Sequence, residues 1–398
     1  MTPADNHPLP VHSLVALCVL NHAVLSGARV TLALHALQLG VSPSELGLML
    51  APFALASALA ALPLGRWVDR AGARVPALAG MALMTLALVA CTALPGLAVL
   101  AGAAAAIGVG YTASLIALQS ELARERGERE LAAGFAGFAI GTAASGGLGP
   151  ILAGQCLTHG GVNVAFGVLA FLSFSAGCAS ALRAHRLLGR RRASSIERPA
   201  LLSCAALTGL GGLKRLMVAD LLMSFAWNAN GFVVPLIGQH LAWSADTVGN
   251  LLGCFGIAVM LVRGRPSTSH ARGSHWRAIV RALVISGMVM ALLPVATAMP
   301  GPYVLEVLFG WGLGGALPSV LSLVEQHTPS GRRAEVLGLR QAVLGIGATT
   351  LPSALGALVA ASGLVVGLVG YGAALLVAGA TIAPRRSGLT SHRPDDRH

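Results

Sequence analysis

The chain has 398 residues, of which 55% are hydrophobic and only 11% charged, with a formal net charge of +12. A soluble protein carries roughly 25% charged residues, so this composition excludes a water-soluble globular domain. Apolar runs near twenty residues recur along the whole length, as helices crossing about 30 Å of hydrocarbon require.

The opening MTPADNHPLP places no basic stretch ahead of the first apolar run, which is read as a resident helix rather than a cleaved signal. Apolar runs bounded by charge and turn signals predict twelve helices. Six lie at roughly 12–38, 46–65, 75–94, 97–120, 131–156 and 162–183. Six more lie at roughly 212–236, 246–263, 278–298, 302–325, 337–359 and 364–383. The turn-forming VSPSE, LPG, THGG, MPGP and ASG mark joints between them. The expected class is an all-α membrane protein with twelve transmembrane helices in two six-helix bundles, at 12–183 and 212–384. A connection at 184–211 and a tail at 385–398 complete the chain. Within the connection, LLSCAALTGLGG is too short to span and is expected to lie at the interface or to extend the seventh helix.

If both termini share one side, every lysine and arginine but Arg29 falls on that side or at its helix ends. They cluster in GRWVDRAGAR, ELARERGERE, RAHRLLGRRRASSIER, LVRGRPSTSHARGSHWR, TPSGRR and the tail. Such asymmetry marks the cytoplasmic side, so both termini are expected there. It also removes nucleic acid as a partner, because the basic residues sit in membrane-proximal loops. Six cysteines stand singly without a CxxC or Cys/His spacing, so neither zinc nor a disulfide framework is indicated.

The halves echo each other. GERELAAG begins at Gly127 and GRRAEVLG at Gly331, with further glycines at Gly141 and Gly345. Between the second and third helices, Gly65, Asp69, Arg70, Gly72 and Arg74 spell GxxxDRxGxR. This resembles the signature of the major facilitator superfamily, at the place where that family carries it. Ala73 departs from the basic residue common there. Gly65 and Gly72 suit a tight turn and close helix approach. Asp69 suits a helix N-terminus, and Arg70 and Arg74 can pair with Glu121 or Glu125. The resemblance implies a latch that holds the cytoplasmic side shut and releases during alternating access; the plainer reading is that the arginines only fix topology.

In the fifth helix, Ala136, Ser145, Gly149, Pro150, Ala153 and Gly154 follow the family's antiporter motif, three matching and three replaced by other small residues. This tilts the reading toward export, beside a purely structural one as a packing face. GWGLGG, Gly310 to Gly315, fits a dinucleotide pattern but lies in an apolar helix without a preceding strand, so it is read as helix packing.

Ionisable residues at membrane depth are costly and default to functional candidates. His22, Ser26 and Arg29 share one face of the first helix. Arg29 can fork onto a carboxylate or phosphate, or pair internally with Glu306 or Asp220. Glu306 lies a turn into the tenth helix, and Asp220 aligns with Ser224 and Asn228 in the seventh. Each carboxylate is a proton carrier or a structural partner, and His22 a titrating or a packed histidine. Arg340 is read as a gate or anchor near the cytoplasm; Trp227, Tyr111 and Trp311 line the path or simply pack.

The resemblance implies a secondary transporter moving a small solute by alternating access, with proton-coupled efflux as the first reading. A proton-coupled uptake symporter of a small, anionic metabolite is the alternative, and a non-transporting receptor or structural protein of the same fold is the rival. No enzyme motif or nucleotide-binding domain occurs. The expected setting is the lipid bilayer of a bacterial inner membrane, as a monomer, with no cofactor beyond a coupling proton.

Overall fold

The computed structural model describes residues 10–94, 96–122, 128–182, 211–265, 272–328 and 333–382. Most of the expected 184–211 connection, the 385–398 tail and Glu125 lie outside the described residues. The helices are α1 (Val11–Gln38), α2 (Pro43–Ala71), α3 (Arg74–Ala93), α4 (Leu97–Leu122), α5 (Glu128–Leu182) and α6 (Gly211–His240). They continue with α7 (Ala245–Arg263), α8 (Arg272–Leu292), α9 (Gly301–Gly314), α10 (Ala316–His327), α11 (Arg333–Ser362) and α12 (Leu364–Ile382). Among the described residues, eleven stretches are long and apolar enough to cross a membrane. One of them, at 50 residues, is twice the necessary length. The chain is an all-α, multi-pass membrane protein.

α2 runs six residues past its expected end, to Ala71, and α8 starts six before its expected start, at Arg272; two joints differ in kind, each for a local reason. The fifth and sixth predicted helices run together as α5, whose helical geometry breaks only at Gly161 with φ 74°. Glycine reaches that left-handed conformation without penalty, so THGG reverses the chain within one residue. α5 therefore has two arms, 128–160 and 162–182. The tenth predicted helix is divided at Gly315 into α9 and α10.

Local chemistry starts α2. The Ser42 hydroxyl accepts from Glu45 N at 3.3 Å, the Glu45 carboxylate accepts from Ser42 N at 2.7 Å, and Pro43 occupies the first turn. The helix ends at Gly72 with φ 79°. Leu48, Leu55, Leu59 and Leu62 form an exposed stripe along α2, as a lipid-facing side requires.

Lipid offers no hydrophobic drive to join helices, so close van der Waals fit must do it. α3 meets α4 where Gly80 and Gly110 face each other's carbonyl oxygens, and Ser114 donates to Ala77 O at 3.2 Å. The halves of the chain join through α2 against α11 and the first arm of α5 against α7. A six-span offset exchanges these two interfaces, so they are images of one another. A Cβ on Gly47 would strike Pro352 O, and one on Gly356 would strike Pro43 O. Gly147 and Gly256 abut across the second interface, as do Gly154 and Gly249. These contacts run from the middle of the helices to the end away from the arginine loops. There Gln239 donates to Leu37 O at 2.9 Å, and Thr158 donates to Asp246 Oδ1 at 3.1 Å. The halves are thus packed together at that end.

Candidate functional site

Two cavities share Trp227 and Asn228 of α6, a central one between the halves and a second lined by the second half. The central one, about 110 Å³, is lined by His22, Ser26 and Arg29 of α1, Gly146 and Pro150 of α5, and Phe255 of α7, among others. The second, about 190 Å³, is lined by Asp220 and Ser224 of α6, Arg263 of α7 and Arg340 of α11, among others. The helical spacing expected to align His22, Ser26 and Arg29 does so. Asp220, Ser224 and Asn228 likewise face one cavity.

The α1 wall is fixed by hydrogen bonds to α5. His22 Nδ1 and Ser145 Oγ lie 2.9 Å apart, and Ser26 donates to Ser145 O at 3.0 Å. Gly149 makes this approach possible, since a Cβ there would collide with the Ser26 hydroxyl and Ala23 O. Ser145, Gly149 and Gly154 therefore seat α5 on α1 and α7, and Ala153 is fully buried. Ala136 is exposed and takes no part.

Arg29 departs from the internal ion pair expected for it. Neither Glu306 nor Asp220 reaches it; its guanidinium lies 5.5 Å from the Phe53 ring centroid and lines the central cavity. Both acids are engaged elsewhere. Asp220 holds Arg340, with Nε 2.6 Å from Oδ2 and Nη2 3.2 Å from Oδ1. Arg340 is 9% exposed and belongs to the cavity wall rather than to a surface anchor. Glu306 is fully buried and accepts from Asn230 Nδ2 at 2.8 Å. Asn228 turns its amide back onto Ser224 O at 2.8 Å.

One lining residue escaped sequence reasoning. Arg263 ends α7, so it reads as one more topology arginine. Instead its guanidinium lies 5.5 Å from the Trp227 centroid and its Nη1 donates to Ala139 O at 3.4 Å. Trp227 also meets Phe255 edge-on at 4.9 Å. The only sequence signal was that Arg263 is the last residue of a 19-residue apolar helix, on the helix and not in the loop that follows. Three arginines and one carboxylate, Asp220, thus line the two cavities. Tyr111 packs 5.8 Å from His22. Trp311 is 44% exposed under Arg265, away from the cavities.

The GxxxDRxGxR segment stands apart from this site. Arg70 and Arg74 are exposed, Glu121 is buried, and among the described residues no ion pair joins either arginine to it. Among the described residues no hydrogen bond or ion pair reaches Asp69. Gly72 makes the turn, but Gly65 lies inside α2 with open space where a Cβ would be, so no close approach explains it. The GWGLGG glycines do pack helices: Gly310 against Phe255 O and Gly314 against Val259.

Residues 14–352 match the sequence model of the Major Facilitator Superfamily. The chain belongs to that superfamily. It is a membrane transporter and not an enzyme. Solved structures of the same fold span nearly the whole chain at low identity. One is a peptide transporter POT in complex with sulfate (TM-score 0.74, 14% identity, 96% of this chain and 94% of that one). A second is a POT family transporter in complex with 5-aminolevulinic acid (TM-score 0.72, 13% identity, 96% of each). A third is the human organic anion transporter MFSD10 (TETRAN), at TM-score 0.65 and 15% identity over 94% of this chain and 99% of that one. No curated protein sequence matches the chain.

Proposed function

We propose that this superfamily member carries a small organic anion across a bacterial inner membrane, exporting it in exchange for protons. The observation that supports the anion is charge: Arg29 faces the central cavity with no carboxylate partner among the described residues, and Arg263 lines the adjoining cavity beside Trp227. A guanidinium in a low-dielectric cavity offers a forked, charge-assisted pair of hydrogen bonds to carboxylate or phosphate. The likeness in fold to an organic anion transporter and to a transporter holding sulfate agrees with that chemistry.

Export rests on the antiporter-like residues Ser145, Gly149, Pro150, Ala153 and Gly154. Exchanging an outward monoanion for an inward proton moves two charges in the same electrical sense, each driven by about 2.3 kcal/mol at 100 mV. Glu306 and Asp220 are the proton carriers of this reading, and a monomer with cytoplasmic termini is its assembly.

Two measurements test it. Thermal-shift screening of the purified chain against small anions, cations and neutral solutes should find stabilisation by anions; stabilisation by cations alone refutes the anion. Flux of the best anion in inverted vesicles should then follow an imposed pH gradient into the lumen. Flux only in the opposite sense makes the carrier an uptake symporter.

A further inference from the structure

α6 has two unlike faces. At 3.6 residues per turn, Asp220, Ser224 and Trp227 point to the cavities, while Lys214, Arg215, Val218 and Leu222 lie on the opposite side. With Ala378 and Thr381 of α12 they line a groove of about 400 Å³ on the outside of the bundle. Lys214 and Arg215 are exposed, and among the described residues no ion pair or hydrogen bond reaches either. Facing away from the solute path, they have no part in the site described above.

The groove is graded along the helix axes. Lys214, Arg215 and Thr381 stand at the arginine-rich end of the bundle. Val218 and Leu222 lie about 6 and 12 Å deeper along α6, and Ala378 about one turn deeper along α12. Val218 is 45% exposed, so the deeper slot is apolar and open to lipid. Exposed cations at the arginine-rich end above an apolar slot complement one kind of molecule, with a phosphate at one end and hydrocarbon at the other. Basic pockets between spanning helices bind anionic lipid headgroups for this reason.

We infer that the α6–α12 groove binds one anionic phospholipid, its phosphodiester between Lys214 and Arg215 and an acyl chain along Val218 and Leu222. With the arginine-rich end cytoplasmic, the lipid belongs to the inner leaflet.

The test titrates the detergent-purified chain with phosphatidylglycerol or phosphatidylcholine of equal chain length, counting bound lipid by native mass spectrometry. Phosphatidylglycerol should bind more tightly, one molecule per chain. Lys214→Gln with Arg215→Gln should weaken it roughly thirtyfold and leave phosphatidylcholine unchanged. Val218→Trp, which fills the slot and keeps both charges, should also weaken it, so the inference stays testable if the double variant misfolds. Equal affinity for the two lipids, or unaltered phosphatidylglycerol binding in the variants, overturns the inference. Displacement by glycerol phosphate at matching concentration overturns it too, because the groove would then hold a free phosphate. No flux is read, so the outcome is independent of the anion-export proposal.

Discussion

Arg340 of α11 meets Asp220 of α6 at two points, 2.6 Å and 3.2 Å, on the wall of a cavity that Arg263 also lines. The pair joins two helices of the second half. It balances one of the two arginines in that cavity's wall and leaves Arg263 without a carboxylate partner among the described residues. A double-mutant cycle on Asp220→Asn and Arg340→Gln, read by thermal denaturation in detergent, should give a coupling energy of about 1–3 kcal/mol. Additive effects would show that the two side chains are neighbours without interaction.

Arg29 is the next test. Replacing it by Gln removes a charge-assisted contact that contributes about 1.5–3 kcal/mol, so the KM for the transported anion should rise roughly ten- to hundredfold. Arg29→Lys keeps the charge but loses the fork and should fall between the two. An unaltered KM in Arg29→Gln reduces the residue to a packing role on Phe53.

Glu306 is buried beside Asn230 with no cation near it among the described residues. Binding or release of a proton there changes a charge that nothing compensates. Glu306→Gln should therefore give solute flux that no longer responds to a pH gradient, while counterflow without a gradient persists. Gradient-driven flux at the wild-type level would move the coupling site to Asp220, where Asp220→Asn is the matching measurement.

The glycine seam between α2 and α11 predicts a conformational effect. A methyl group on Gly47 meets the backbone of Pro352 rather than a flexible side chain, so the helices must part. Gly47→Ala should raise the rate at which an impermeant maleimide added outside cells modifies Asn228→Cys in the shared cavity wall. No change in rate would mean the seam absorbs the methyl group without opening.

Asp69 behaves differently, because it has no partner in this conformation among the described residues. If the GxxxDRxGxR segment latches only when the arginine-rich end closes, Asp69→Asn should slow turnover several-fold. The melting temperature should stay within about 1 °C, since no hydrogen bond or ion pair among the described residues is lost. A matching loss of stability would place the residue in the fold instead of the cycle.

Much of the architecture was legible because hydrocarbon permits so few solutions. A backbone that cannot hydrogen-bond to solvent must close its own bonds within helices. Runs of about twenty apolar residues, ended by arginine-rich loops or by VSPSE and ASG, therefore mark spans almost independently of their neighbours. Periodicity also set the shared faces of His22 with Arg29 and of Asp220 with Asn228, since 3.6 residues per turn is a local property. The fusion of two predicted spans at Gly161 was hidden because THGG announces a turn without fixing how sharp it is.

Partnership was not local, and only the tertiary structure decided it. Arg29 had two acids available in the sequence, and in the fold neither meets it, because Asp220 lies with Arg340 and Glu306 with Asn230. Arg263 looked like a topology marker until Trp227 stood beneath it. The small residues of α5 became meaningful once α1 and α7 lay against them, where a single Cβ decides whether two backbones touch. Span and side are set by the solvent each segment must enter, which every stretch of sequence carries within itself; the charge left over in the cavity is set by which helices meet.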